Sequence, residues 1–203
     1  DDDEAVVAWD KAQLEIVQAR LGAHPKRKAL QRRLDGEFAL GDLKSLPTFR
    51  GAHRWYTYRP KNANQPVLYR TDSKAAQAPR VVLDPNRWSG GGTWTIRAWT
   101  VSPDGRYVAY RRDRVGSEDT TLYVFDVNNS RHLPDTITRT KFASVVWTDD
   151  STGYYYSRMP APEPVPKGQE QYHRRIYHHE LGRLVQDDPM VYGRGRPMLE
   201  TCW

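Results

Sequence analysis

The chain has a single cysteine among its 203 residues, Cys202, so no disulfide can form within it and no cysteine-based zinc site is available. A reducing compartment suits that count, and a cysteine-poor exported protein suits it equally. It lacks any apolar run of about 18 residues, which argues against a membrane-crossing helix. It also lacks an initiator methionine, and it opens on Asp1-Asp2-Asp3-Glu4, the reverse of a basic signal-peptide start. The natural start is therefore expected to lie upstream. A cytoplasmic setting is the first expectation, with a periplasmic or exported one left open.

Catalytic motifs are missing too. There is no Gly-x-Ser-x-Gly nucleophile elbow and no Gly-x-x-x-x-Gly-Lys phosphate loop. The glycines Gly90 to Gly92 read as a turn. Three of the six histidines, His173, His178 and His179, gather near Glu180, but without the His-Glu-x-x-His spacing of a helical zinc site. They are expected to be ordinary strand and loop histidines, with no metal and no cofactor. The Asp and Glu residues fall mostly in turns, so no carboxylate pair for acid–base chemistry stands out. The proline-rich stretch Pro160 to Pro166 reads as an extended loop rather than as a ligand for a proline-binding module. No residue is assigned a catalytic role.

The formal net charge is +6, yet the basic residues are scattered among acidic ones. The run from His24 to Arg33 is the only dense one. A nucleic-acid footprint would gather on one face, so no nucleic-acid partner is expected.

What the chain does have is aromatic residues, seven Trp and twelve Tyr, enough for packed structure. Residues 3–21 predict a helix, with Asp3 as its N-cap and a rough apolar stripe of Val6, Trp9, Ile16, Val17 and Leu21. Gly22 should end it. Pro25 predicts the start of a second helix that Gly36 stops. After about residue 46 helical spacing gives way to short β-rich runs separated by turn residues.

Those runs repeat. "RWYTY", "RYVAY" and "TGYYY" each close a strand, at Tyr58, Tyr110 and Tyr156. A second strand follows each, carrying Tyr69, Tyr123 and Tyr177, which are 54 residues apart. That period suits a four-stranded antiparallel blade. In "SPDGRYVAY" the turn Pro103-Asp104-Gly105 has the right chemistry for a tight bend. In the next copy Asp150-Ser151 replaces Asp104-Gly105, which predicts a turn of a different or less ideal kind. The alternation of Tyr107 and Ala109 against Val108 and Tyr110 predicts strands packed on both faces.

The expected fold is therefore mainly β. Residues 1–45 form a helical segment, and residues 46–203 form an incomplete β-propeller. Its blade units span 46–95, 96–141 and 142–192, followed by an atypical tail. Three units are fewer than the four of the smallest closed propellers, so further blades are expected outside the chain.

The ordered set of motifs resembles one family. "DDDEAVVAWDKAQ", "LPTFRGAHRWYTYRPKNANQPVLYR", "VVLDPN", "AWTVSPDGRYVAY", "GSEDTTLYVFDV", "LPD", "KFASVVWTDDSTGYYYSR" and "IYHHELG" occur in the order and spacing of the amino-terminal part of prolyl oligopeptidases. Any one of these is weak, and the set covers residues 2 to 192. The resemblance implies a seven-bladed propeller over an α/β-hydrolase domain that cleaves peptides after proline with Ser, Asp and His. It implies that residues 1–45 pack on that hydrolase domain. It implies that Phe142 lines an apolar subsite upstream of the proline, and that Glu118 lies on the rim facing the hydrolase, where the family pattern has Asp. The triad and the later blades would lie beyond this sequence, whose tail from Met198 onward departs from the family's continuation. The chain alone would then gate access and bind proline-containing peptides without cleaving them. The alternative is a non-catalytic propeller module that binds proteins or peptides.

Overall fold

The computed structural model describes residues 3–38, 43–61, 63–72, 78–88, 93–114, 117–161, 165–166, 168–169 and 172–196. The chain divides into two compact units, Asp1–Asp42 and Leu43–Trp203.

The first unit is helical. Helix α1 spans Glu4–Gly22 and is capped by Asp3, whose side chain accepts a hydrogen bond from the Ala5 N–H at 2.8 Å. Glu4 in the first turn and Arg20 in the last suit the helix dipole. The stripe residues Val6, Trp9, Ile16, Val17 and Leu21 are all exposed. At 100° per residue, Asp10, Gln13 and Arg20 fall inside the same arc and interrupt it. Helix α2 spans Arg27–Phe38. It starts after Pro25 rather than on it, because the His24 ring nitrogen Nδ1 accepts from the Lys26 N–H and shapes a turn there. It also runs through Gly36. A mid-helix glycine costs only about 1 kcal/mol, too little to end a helix on its own.

The second unit consists of three antiparallel sheets. The first contains β1 (Leu43–Lys44), β2 (Thr48–Arg50), β3 (His53–Arg59), β4 (Val67–Asp72) and β5 (Arg80–Leu83), in the order β1-β3-β4-β5 with β2 also on β3. The second runs β6 (Trp94–Val101), β7 (Tyr107–Arg114), β8 (Thr121–Asp126), β9 (Arg131–Ile137). The third runs β10 (Val145–Trp147), β11 (Gly153–Arg158), β12 (Arg175–Glu180), β13 (Met190–Tyr192). Four strands in sequential order, repeated with short connections, are propeller blades.

The middle blade is buried on both faces, as the alternation along β7 requires. Val108 and Tyr110 pack with Trp55, Leu68 and Leu83 of the first blade. Tyr107 and Ala109 pack with Trp147, Tyr154 and Tyr156 of the third. Each blade repeats one stacked tyrosine pair across its two central strands. The pairs are Tyr56 with Tyr69 at 5.7 Å, Tyr110 with Tyr123 at 5.8 Å and Tyr156 with Tyr177 at 5.6 Å. In the first blade Tyr56, not Tyr58, is therefore the member of the repeat. "RWYTY" places both tyrosines on one face, and only the register, Tyr56 opposite Tyr69, tells them apart.

The first hairpin turns stack at one end of the blades. Ser102 Oγ donates to Asp104 and accepts from the Tyr107 N–H; Thr148 Oγ1 does the same with Asp150 and Gly153. Contrary to expectation, the two turns share one hydrogen-bond plan. Gly105 takes φ +76° and Ser151 takes φ +61° in its place. Ser151 has a compensating role, since its Oγ accepts from the Asp104 N–H at 3.2 Å and ties the second turn to the third. On the other side the Gly51 N–H donates to Pro103 O at 3.1 Å. A Cβ on Gly51 would sit 2.7 Å from the backbone oxygen of Asp104, at a φ of +56°. Gly51→Ala is therefore expected to cost about 2 kcal/mol, seen as a lower urea midpoint with an unchanged m-value.

Candidate functional site

The opposite end of the blades carries the rim loops, which connect β7 to β8, β9 to β10 and β11 to β12. Backbone strain gathers there. Glu118, Arg139, Phe142 and His173 are non-glycine residues with φ between +52° and +60°. Such conformations persist only where surrounding contacts hold them, and they cluster at functional sites.

The structure brings Phe142 and Glu118 together through Lys141. The Lys141 ammonium pairs with the Glu118 carboxylate at 2.9 Å and lies 5.3 Å from the Phe142 ring centroid. Arg174, from the next rim loop, donates to the Phe142 carbonyl at 2.5 Å. Phe142 is 55% exposed, whereas its neighbour Ala143 is buried. It does not begin a strand, because β10 starts at Val145, and it is not a core residue. A benzyl group held out into solvent on a strained, doubly braced loop can serve as an apolar contact for a ligand.

Behind it the loop is pinned to the second blade. Thr140 Oγ1 donates to Thr120 O, the Thr140 N–H donates to the same carbonyl, and Arg111 donates to Thr140 O at 3.1 Å. Burial holds the Arg111 guanidinium below its usual pKa, and Arg174 nearby adds to this. Asp113, two residues along β7, is buried and accepts both hydrogen bonds of a bidentate pair with Arg97, at 2.9 and 3.0 Å. At the turn end, Phe49, Arg50, Val101, Val146 and Trp147 border a cleft of about 670 Å³ along the first strands.

The histidine cluster consists of strand and loop histidines, as expected, but the sequence did not show the carboxylates around one of them. His178 lies on β12 against Tyr155, with ring centroids 4.8 Å apart. His179 is wholly buried between two carboxylates. Its Nε2 is 2.6 Å from Asp135 of the second blade and its Nδ1 is 2.8 Å from Asp188. Two acceptors require two donors, so the ring is the imidazolium. Burial pushes its pKa down, but the hydrogen bonds to Asp135 and Asp188 outweigh this and raise it to about 9. Burial pushes Asp135 up, and the His179 contact and the Gly182 N–H bring it below the usual carboxylate range. The Tyr156 hydroxyl completes the group by donating to Asp188. This carboxylate pair was invisible in the sequence because Asp135 stands 44 residues before His179. With the ring wholly buried and both its nitrogens engaged, it is a fastening between blades. Among the described residues no group of His, Cys, Asp and Glu has metal-holding geometry. The glycines at 90–92, Cys202, and Glu163 of the proline-rich stretch lie outside the described residues.

Comparison with known proteins fits this architecture. Residues 1–199 match the family model described as prolyl oligopeptidase, N-terminal beta-propeller domain. The chain is 30% identical over 191 residues to a prolyl endopeptidase of Elizabethkingia meningoseptica, covering 92% of this chain and 26% of the relative. It is 28% identical to prolyl oligopeptidase A of Amanita bisporigera, covering 91% of this chain and 27% of that protein. A solved structure from a study of two prolyl endopeptidases superposes with a TM-score of 0.87 at 30% identity, over 95% of this chain and 28% of that one. Prolyl oligopeptidase B from Galerina marginata, bound to a 35mer hydrolysis and macrocyclization substrate, superposes with a TM-score of 0.78 at 25% identity, over 95% of this chain and 29% of that one. The chain thus spans roughly a quarter of the length of these relatives, and it belongs to the prolyl oligopeptidase family, whose N-terminal β-propeller portion it carries.

Proposed function

We propose that this chain is the access-controlling and upstream substrate-binding portion of a serine endopeptidase that cleaves peptides after proline. Phe142 carries the reading. Its exposed ring, braced by Lys141 and Arg174 on a strained rim loop, supplies an apolar wall for a residue upstream of the scissile proline. Glu118 orders Lys141 and presents a carboxylate towards a hydrolase domain above the rim. The hydrolase domain supplies the nucleophile, the base and the oxyanion donors, and the remaining blades complete the ring. A narrow ring admits extended peptides and excludes folded proteins.

The reading is tested by a post-proline reporter peptide. The 203-residue chain alone is expected to release no reporter. A chimera in which it replaces the matching portion of the Elizabethkingia meningoseptica enzyme is expected to cleave after proline. Hydrolysis by the pure chain, or a folded chimera without activity, overturns the assignment.

A further inference from the structure

A second site lies between the second and third blades, behind the rim. Register places Ala98, Thr100, Ala109, Arg111 and Leu122 on one face of the second blade, since Ala98 pairs with Arg111, Thr100 with Ala109 and Arg111 with Leu122. Elsewhere this interface is filled by Trp147, Tyr154 and Tyr156. Here Ala98, Thr100 and Ala109 are small, and with Arg111, Leu122 and Ala143 of the rim loop they border a pocket of about 340 Å³. That volume is within the range of small-molecule sites.

Among the described residues, the pocket is lined by one charged side chain, Arg111. Its Nη1 is bound to a carbonyl, Thr140 O, and its Nε is buried with no hydrogen-bond partner. A buried guanidinium ordinarily has a carboxylate beside it. Among the described residues, two nearby carboxylates are engaged elsewhere. Asp113 gives both oxygens to Arg97, and Glu118 pairs with Lys141. Arg174 and Arg97 add positive potential around Arg111, and Asp113 offsets part of it. The site therefore joins a chamber with apolar and hydroxyl-bearing walls to a guanidinium without a carboxylate partner of its own.

We propose that this pocket binds a carboxylate carried on an apolar or aromatic body, with Arg111 as the ion-pair partner. The inference goes beyond the peptidase reading and needs no hydrolase domain. A carboxylate of this kind is offered both by a free arylalkanoic acid and by the carboxy-terminal residue of a peptide.

The test is calorimetric titration of the full chain in a carboxylate-free buffer. The probes are 3-phenylpropionate, its neutral amide, and Gly-Gly-Phe with a free or an amidated carboxy terminus. At least one of the two carboxylates is expected to bind saturably, and its amide about tenfold or more weaker. Saturation by the free acid alone assigns a small-acid site, and saturation by the peptide alone assigns a terminus-reading site. Arg111→Gln is expected to lose the carboxylate preference and Arg111→Lys to keep part of it. Should Arg111→Gln lose the native circular dichroism spectrum, Ala98→Phe decides, since it fills the chamber and keeps the cation. Saturation by neither carboxylate up to about 10 mM, equal binding of the amide, or undiminished binding by Ala98→Phe or folded Arg111→Gln overturns the proposal. None of these readouts involves hydrolysis, so this site and the peptidase assignment fail separately.

Discussion

His179→Ala is expected to lower the unfolding free energy by about 3–5 kcal/mol, because it leaves the Asp135 and Asp188 carboxylates buried without the cation between them. His179→Gln should cost less, since its amide can still donate to one of them. The wild-type chain should also show a characteristic pH dependence. The folded pKa of His179 is about 9 against an ordinary 6.5. A raised pKa means that the folded state holds the proton more tightly. Its stabilisation is complete below about pH 6.5, declines as pH rises, and is lost above about pH 9. The span corresponds to something on the order of 3 kcal/mol. Asp135 adds a separate loss on the acid side, as pH falls through its depressed pKa. Urea unfolding from pH 6 to 10 checks the first limb. The wild type should lose stability across it, and His179→Gln should give a nearly flat line. A wild-type line without slope would mean that the ring is neutral.

Trp147→Ala carries the second large expectation, about 4 kcal/mol. Trp147 ends the first strand of the third blade but belongs equally to the second. It stacks on Tyr107 with centroids 6.1 Å apart, meets Tyr154 edge-on at 5.2 Å, and its indole N–H donates to Thr100 O across the interface. Blades bury their faces only against neighbours, so removing this side chain should loosen the third blade before the others. In hydrogen exchange, amides of β11 and β12 should lose protection while those of β3 and β4, held by the Trp55 and Leu68 cluster, keep theirs. Uniform loss across all three sheets would show that the blades unfold as one unit.

The contrast between these two residues also shows what the sequence could convey. The 54-residue tyrosine spacing was legible because each blade uses the same stacked pair in the same place. The two-sided burial of β7 was legible because strand alternation is a local rule. Helix α1 was announced by Asp3. The His179 fastening was not, because its meaning depends on Asp135 in another blade. Gly36 misled because a single propensity was set against a whole helix. Ser151 misled because its strained backbone is held by a contact to Asp104, 47 residues away. Phe142 and Glu118 were nominated only by family resemblance. Their shared dependence on Lys141 is a fact of the folded rim, and so is the place of Arg111 at the edge of a pocket.

Whether Phe142 forms part of the wall that receives substrate is decided by steady-state kinetics of Phe142→Ala in the chimera, with a proline reporter carrying a large apolar residue upstream. KM should rise about tenfold while kcat changes little, because a binding wall is lost and the chemistry is untouched. The loss should shrink when the upstream residue is glycine. An unchanged KM, or a loss confined to kcat for both reporters, would show that the ring does not meet substrate.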